Sequence, residues 1–254
     1  MYYTHPRRLI VGFQPRMRTT LVGKSNLDTA SPADFIEWDV RNWSAALDFW
    51  LAHTTQNISK CDALELGSRN GGLSLWMALQ GARVVSSDVA LPTETASRSH
   101  QARGVSHLIQ YEAIDATRIP YTAKFDVVLF KSMLGAVGKF GGRAGQAQAI
   151  KEMHKALKPG GELFFAENLV GSPLHQFLRR KFVRWGTSWR YVSVAEMEEF
   201  LSPFTKVQYR TLGFAGAFGR SELQRNVLAV FDTKALNYAI PERWRYIIVG
   251  VAKK

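Results

Sequence analysis

The chain has 254 residues, 46% of them hydrophobic and 12% aromatic, enough for a sizeable core and too apolar for general disorder. Its formal net charge is +12, and its single cysteine, Cys61, excludes an internal disulfide and a multi-cysteine zinc site. No run approaches the roughly 18 apolar residues of a membrane-spanning helix, and the opening MYYTHPRRLIVGFQPR lacks a signal peptide's apolar segment, so a reducing cytoplasm is expected.

The positive charge is uneven along the chain. Residues 1–27 carry Arg7, Arg8, Arg16, Arg18 and Lys24 and no acid, residues 28–167 are nearly neutral, and residues 168–190 carry five cations and no acid. Residues 1–30 therefore read as a basic arm ahead of one domain spanning 31–254. Basic segments of this kind suit a phosphate, nucleic acid or an anionic membrane surface, or are simply solvated.

After the arm, SPADFIEWDVRNWSAALDFWLAHT opens with Ser31 as N-cap and Pro32 at the first helical position. Its aromatics recur at mixed three-, four- and five-residue steps, which predicts one helix packed on the domain. From residue 61 short apolar runs follow one another at 62–66, 82–86, 107–111, 125–130 and 162–166, with helix-like stretches at 71–80, 92–103 and 143–157. Strand alternating with helix predicts an α/β fold, a parallel sheet covered on both faces. LKPGG reads as a helix stop and turn. Insertions are expected near 170–190 and 213–242. Two late strand-like runs, 205–212 and 244–251, have no ordinary alternating helix between them, so an antiparallel addition to the sheet is expected.

The chemistry concentrates at ALELGSRNGG and the later SSDVA. Glycines that end a strand and enter a helix let the backbone approach a ligand, and the helix N-terminus offers unpaired N–H groups. Asp88, closing the next strand, is then placed to accept hydrogen bonds from a ribose diol. A nucleoside explains both halves of the pattern, whereas a bare turn explains only the glycines. Arg69 stands where a dinucleotide fingerprint has its second glycine.

The series ELGSRNGG, SSD, AIDAT, FDVVLF and LKPGGELFFAEN resembles class I S-adenosylmethionine-dependent methyltransferases over residues 60–168. The resemblance implies a Rossmann-like, doubly wound, seven-stranded sheet, mostly parallel with an antiparallel last strand. It implies S-adenosylmethionine as cofactor, with Glu65, Gly67, Ser68 and Gly71 at its methionine end. Asp88 would take the ribose hydroxyls, Val89 would belong to the cofactor site, Asp115 and Ala116 would meet the adenine, and Lys131 would face cofactor and acceptor.

Methyl transfer from a sulfonium is an in-line displacement that depends on alignment, and an oxygen acceptor also needs a base or a low pKa. Glu167, Lys131 and His175 are the acceptor-side candidates, with Glu167 first because it projects from the strand edge after LFFA. No histidine pair has metal-ligand spacing, so no metal site is expected. The segment LHQFLRRKFVRW reads as an amphipathic helix. Leu174, Phe177, Leu178, Phe182 and Trp185 form one face, with Arg179, Arg180, Lys181 and Arg184 on the remainder. That face covers the sheet edge, or meets an anionic membrane or a phosphorylated acceptor. The expected partner is a small, anionic acceptor, phosphorylated, saccharide or lipid-linked. Nucleic-acid methylation by the basic flanks is the alternative, against which stand the neutral central block and the lack of a single-strand-reading motif.

Overall fold

The alternating apolar runs become seven strands: β1 (Asp62–Leu66), β2 (Arg83–Asp88), β3 (Ile109–Ala113), β4 (Phe125–Lys131), β5 (Leu157–Asn168), β6 (Lys206–Leu212) and β7 (Ile247–Lys253). The computed structural model describes residues 30–183 and 188–254, so the basic arm through residue 29, and Arg184 and Trp185, lie outside the described residues. The strands form one sheet in the order β3-β2-β1-β4-β5-β7-β6. β1 to β5 run parallel, and β7 lies antiparallel between β5 and β6. Only the last strand, β7, is therefore reversed, which is the expected antiparallel last strand, and β6 runs parallel to β5.

Period-two alternation sorts the central strands into two cores. Val127, Leu129, Phe164 and Ala166 face one layer, and Val128, Phe130, Leu163 and Phe165 the other. On the first face lie α3 (Ala45–His53) and α4 (Gly72–Leu79), where the Trp50 ring stacks on Phe164 and meets Trp76 at a tilt, with centroids 5.7 Å apart in each pair. α5 (Glu94–Ala102) follows β2. The other face is covered by α6 (Leu134–Ala156) and α8 (Val194–Phe200), with α7 (Pro173–Phe182) between them in sequence and α9 (Glu222–Phe231) following β6. α9 is a helix of ordinary length where the sequence suggested none.

The single helix expected over 31–54 is broken into α1 (Pro32–Phe35), α2 (Val40–Trp43) and α3. The break is at Asp39, which adopts a left-handed φ of 48°. Its N–H and that of Val40 donate to the Glu222 carboxylate at 2.9 and 2.7 Å. Mixed aromatic spacing fits no single helical stripe, and breaking the helix lets both Trp43 and Trp50 be buried. LKPGG is also not a turn outside the sheet. α6 ends at Ala156, Leu157 already pairs with Phe125, and pairing resumes at Glu162 with Val127. The glycines form a bulge that lets β5 begin early.

Candidate functional site

Parallel strands with right-handed crossovers place their carboxyl ends on one edge, and the glycine turn forms there between β1 and α4. Gly67, Arg69 and Gly71 take φ of 70°, 45° and 72°, the left-handed region that glycine enters freely and arginine at a cost. A Cβ on Gly67 would lie 2.8 Å from Met133 Cγ, and one on Gly71 2.6 Å from His100 Cε1. His100 supports the turn from behind: Nε2 donates to Gly71 O at 2.9 Å, and Nδ1 accepts from the Tyr111 hydroxyl at 2.6 Å. Under the turn, the buried Glu65 carboxylate accepts from Ser74 N at 2.7 Å and from the Ser74 hydroxyl. Burial pushes its carboxyl up to about 7, against those bonds and the charge of Lys131.

Asp88 closes the turn from β2. Its Oδ2 accepts from Arg69 N at 3.1 Å and its Oδ1 from Val89 N at 2.8 Å. A carboxylate has about four lone-pair sites, so acceptor capacity remains. Ser68 donates its N–H to Ser87 O, and its hydroxyl is buried with no partner among the described residues. Val89 is 78% exposed beside it. Asp115, past β3, is exposed and accepts from Thr117 N and Oγ1, both at 2.8 Å; Ala116 is buried.

The sequence reading missed a clasp across the turn. Glu37 pairs with Arg69 at 3.2 Å and accepts from Asn70 Nδ2 at 2.8 Å, joining the segment between α1 and α2 to the glycine loop. No local spacing signals this pairing, because Glu37 and Asn70 are 33 positions apart. Lys131, ending β4, lies with Nζ 5.0 Å from the Trp43 ring centroid and 5.5 Å from that of Trp38. Such contacts with indole faces are favourable to a cation. Burial lowers its pKa, while Glu37, Glu167 and Glu65 pull the other way and Arg69 adds to the lowering.

Two acceptor-side candidates are engaged by hydrogen bonds within the fold. Glu167 is buried, and its Oε2 accepts from Met133 N at 2.9 Å and Leu134 N at 2.7 Å, its Oε1 from Asn168 N at 2.7 Å. It caps the start of α6 and does not reach into open space, although desolvation still holds its carboxyl near 7. His175 is equally committed. Its Nδ1 is 2.7 Å from the Ser172 hydroxyl and its Nε2 is 2.9 Å from Phe214 O. Its ring stacks on Phe218 at 4.7 Å. Burial takes its pKa down to about 4, so it is a neutral clasp. Arg179 is likewise tied inward, donating to Leu169 O and Val170 O at 2.8 and 2.9 Å. Lys131 alone of the three acceptor-side candidates makes no side-chain hydrogen bond among the described residues. No three His, Cys, Asp or Glu gather into a metal-binding group among them, and no helix there is long and apolar enough to cross a membrane.

Residues 64–165 match the family model described as a methyltransferase domain. The chain is 29% identical over 155 residues to a ubiquinone biosynthesis O-methyltransferase of Azotobacter vinelandii, and 30% over 156 residues to that of Pseudomonas syringae pv. tomato. Each match covers 56% of this chain and 64% of the relative, so the chain spans less than two thirds of these curated relatives. Among solved structures it resembles phosphoethanolamine N-methyltransferase 2 of Haemonchus contortus, in complex with phosphomonomethylethanolamine and S-adenosylhomocysteine. The TM-score is 0.58 at 16% identity, over 84% of this chain and 52% of the other, a likeness of fold.

Proposed function

We propose that this chain, which belongs to the class I S-adenosylmethionine-dependent methyltransferases, methylates an oxygen of a small-molecule acceptor. The observation that carries the reading is the glycine turn closed by Asp88. The residues present fit the cofactor: Gly67 and Gly71 leave no room for a Cβ, the Ser68 hydroxyl is buried without a partner, and Asp88 keeps lone pairs for a diol. Glu65 holds the turn through Ser74; Asp88 would take the ribose hydroxyls, and Asp115 and Ala116 would meet the adenine.

S-adenosylmethionine supplies an electrophilic methyl and a sulfonium leaving group. The chain's own part is to hold the acceptor oxygen in line and keep water out. Lys131 is placed to take the acceptor's O–H proton: burial lowers its pKa from the ordinary lysine value, and bound S-adenosylmethionine would supply the methyl. The half-buried Trp38 face beside it suits an aromatic hydroxyl. Glu167 acts through position, fixing Met133 against Gly67 and the start of α6. The ubiquinone-related names of the relatives support an oxygen acceptor.

Calorimetry with S-adenosylhomocysteine tests the cofactor, and its release on a panel of phenols and catechols tests the acceptor. Lys131→Met should lower turnover on an active phenol by about 10²-fold or more with cofactor affinity nearly unchanged. Folded protein that binds neither S-adenosylmethionine nor S-adenosylhomocysteine would sink the reading.

A further inference from the structure

The two insertions carry apolar side chains that none of the described residues covers. On α9, Leu223, Val227 and Phe231 are 76%, 52% and 58% exposed, and their four-residue spacing aligns them as one stripe along the helix. On α7, Leu174, Phe177 and Phe182 are also exposed. The apolar face of α7 therefore does not pack onto the sheet edge. Neither helix is loose on its inner side. α7 is clasped by His175 to Phe214, and α9 by Glu222 to Asp39 and Val40. Asp232, just past α9, accepts from Ala215 N and Gly216 N at 2.7 and 2.8 Å. Both helices thus border the turn at 214–218, at the end of the sheet where the proposed acceptor enters.

The exposed charged residues on α7 and directly flanking α9 are cations. Arg180 and Lys181 on α7, and Arg220 and Lys234 flanking α9, are exposed. The only acids in residues 168–195 and 213–241 are Glu222 and Asp232, both already engaged. A rigid apolar face framed by cations meets the physical requirement for seating in a lipid headgroup region. Cations near an anionic leaflet are attracted strongly at low salt. A second copy of the chain is disfavoured as cover, because an isologous contact would set like charges against each other. The first 29 residues, with five cations and one acid, are disfavoured for the same reason.

We propose that α7 and α9 together dock the protein on an anionic lipid surface, with Phe177, Phe182, Leu223, Val227 and Phe231 entering the headgroup layer. The acceptor end of the sheet then faces the bilayer, and an apolar acceptor reaches it without crossing water.

Co-sedimentation of the full chain with vesicles tests this directly. Binding is expected to phosphatidylcholine mixed with phosphatidylglycerol, and much less to phosphatidylcholine alone. It should weaken as salt shortens the Debye length from about 10 Å at 0.1 M to about 3 Å at 1 M. Val227→Ser with Phe231→Ser, and separately Phe177→Ser, should each lower vesicle affinity by about tenfold or more, as the loss of buried apolar area implies. Arg180→Gln with Lys181→Gln should remove the preference for the anionic lipid. Melting temperature and S-adenosylhomocysteine affinity should stay at wild-type values in all three, which separates docking from folding and from the methyltransferase reading. Absence of sedimentation with the mixed vesicles overturns the proposal, as does full binding by the serine variants. A concentration-dependent dimer abolished by Val227→Ser with Phe231→Ser would also overturn it, assigning the face to a second copy.

Discussion

Asp88 and Glu167 both stand at or next to the carboxyl ends of parallel strands of the same sheet, yet their surroundings differ sharply. Asp88 meets two backbone N–H groups at the rim of an open turn. Glu167 meets three, and is sealed in the core between β5 and the first turn of α6. The cofactor half is thus a polar rim with capacity to spare, whereas in the acceptor half the obvious acid and His175 are consumed by structure. In the acceptor half, the proposed proton acceptor is Lys131, which the sequence ranks below Glu167. A titratable residue at the right edge of the sheet is therefore not enough; its remaining hydrogen-bonding capacity decides what it can do.

The comparison breaks most visibly at the turn itself. Gly67→Val places a β-branched residue at φ 70° against Met133, and strain plus the lost approach should reduce S-adenosylhomocysteine affinity by about 100-fold or more. Titration calorimetry reads this; unchanged affinity would move the cofactor away from the turn. The two acids should then respond in opposite observables. Asp88→Asn should weaken the cofactor by about 1.5–3 kcal/mol, the value of a charge-assisted hydrogen bond, with little change in melting temperature. Glu167→Gln sets an NH2 against the Asn168 N–H and should cost about 1–3 kcal/mol of stability, seen in denaturant unfolding, with a smaller change in cofactor affinity. Should Glu167→Gln melt like wild type and lose only turnover, its carboxyl belongs to the chemistry after all.

His175 sharpens the acceptor half through pH. Its folded pKa, near 4, lies below its ordinary 6.5, so the folded state prefers the neutral ring. The stability this contributes is complete above pH 6.5 and is lost as pH falls towards 4, about 3 kcal/mol in all. Unfolding free energies measured from pH 7.5 to 4 should show that decline, and His175→Gln should flatten it. A wild-type profile in the variant would place the titrating group elsewhere. The smallest effect is expected at the opposite, amino edge of the sheet. There Arg83 pairs with Asp62 at 2.6 Å in solvent, and Arg83→Ala should cost under about 1 kcal/mol and leave cofactor affinity untouched.

Much of the scaffold was legible along the chain. The apolar runs located all seven strands to within a few residues, because a strand buried on both faces must be nearly continuously apolar. Gly67 and Gly71 announced the turn, since few residues tolerate φ near 70°. The break at Asp39 was not legible, because its partner Glu222 is 183 positions away. His100 behind Gly71 and Glu37 across Arg69 were hidden for the same reason.

From its own pattern, then, the chain determines the alternation of strand and helix, the glycine turn and the acid that closes it. These depend on the period of burial and on backbone conformation, which neighbouring residues impose on each other. The tertiary structure alone decided which polar groups remain free. Glu167 and His175 are engaged by N–H and C=O groups that folding brings within 3 Å of them. It also decided that the apolar faces of α7 and α9 stay uncovered by the other described residues. Whether a side chain is satisfied depends on atoms brought from distant parts of the chain, and no local spacing records which atoms those will be.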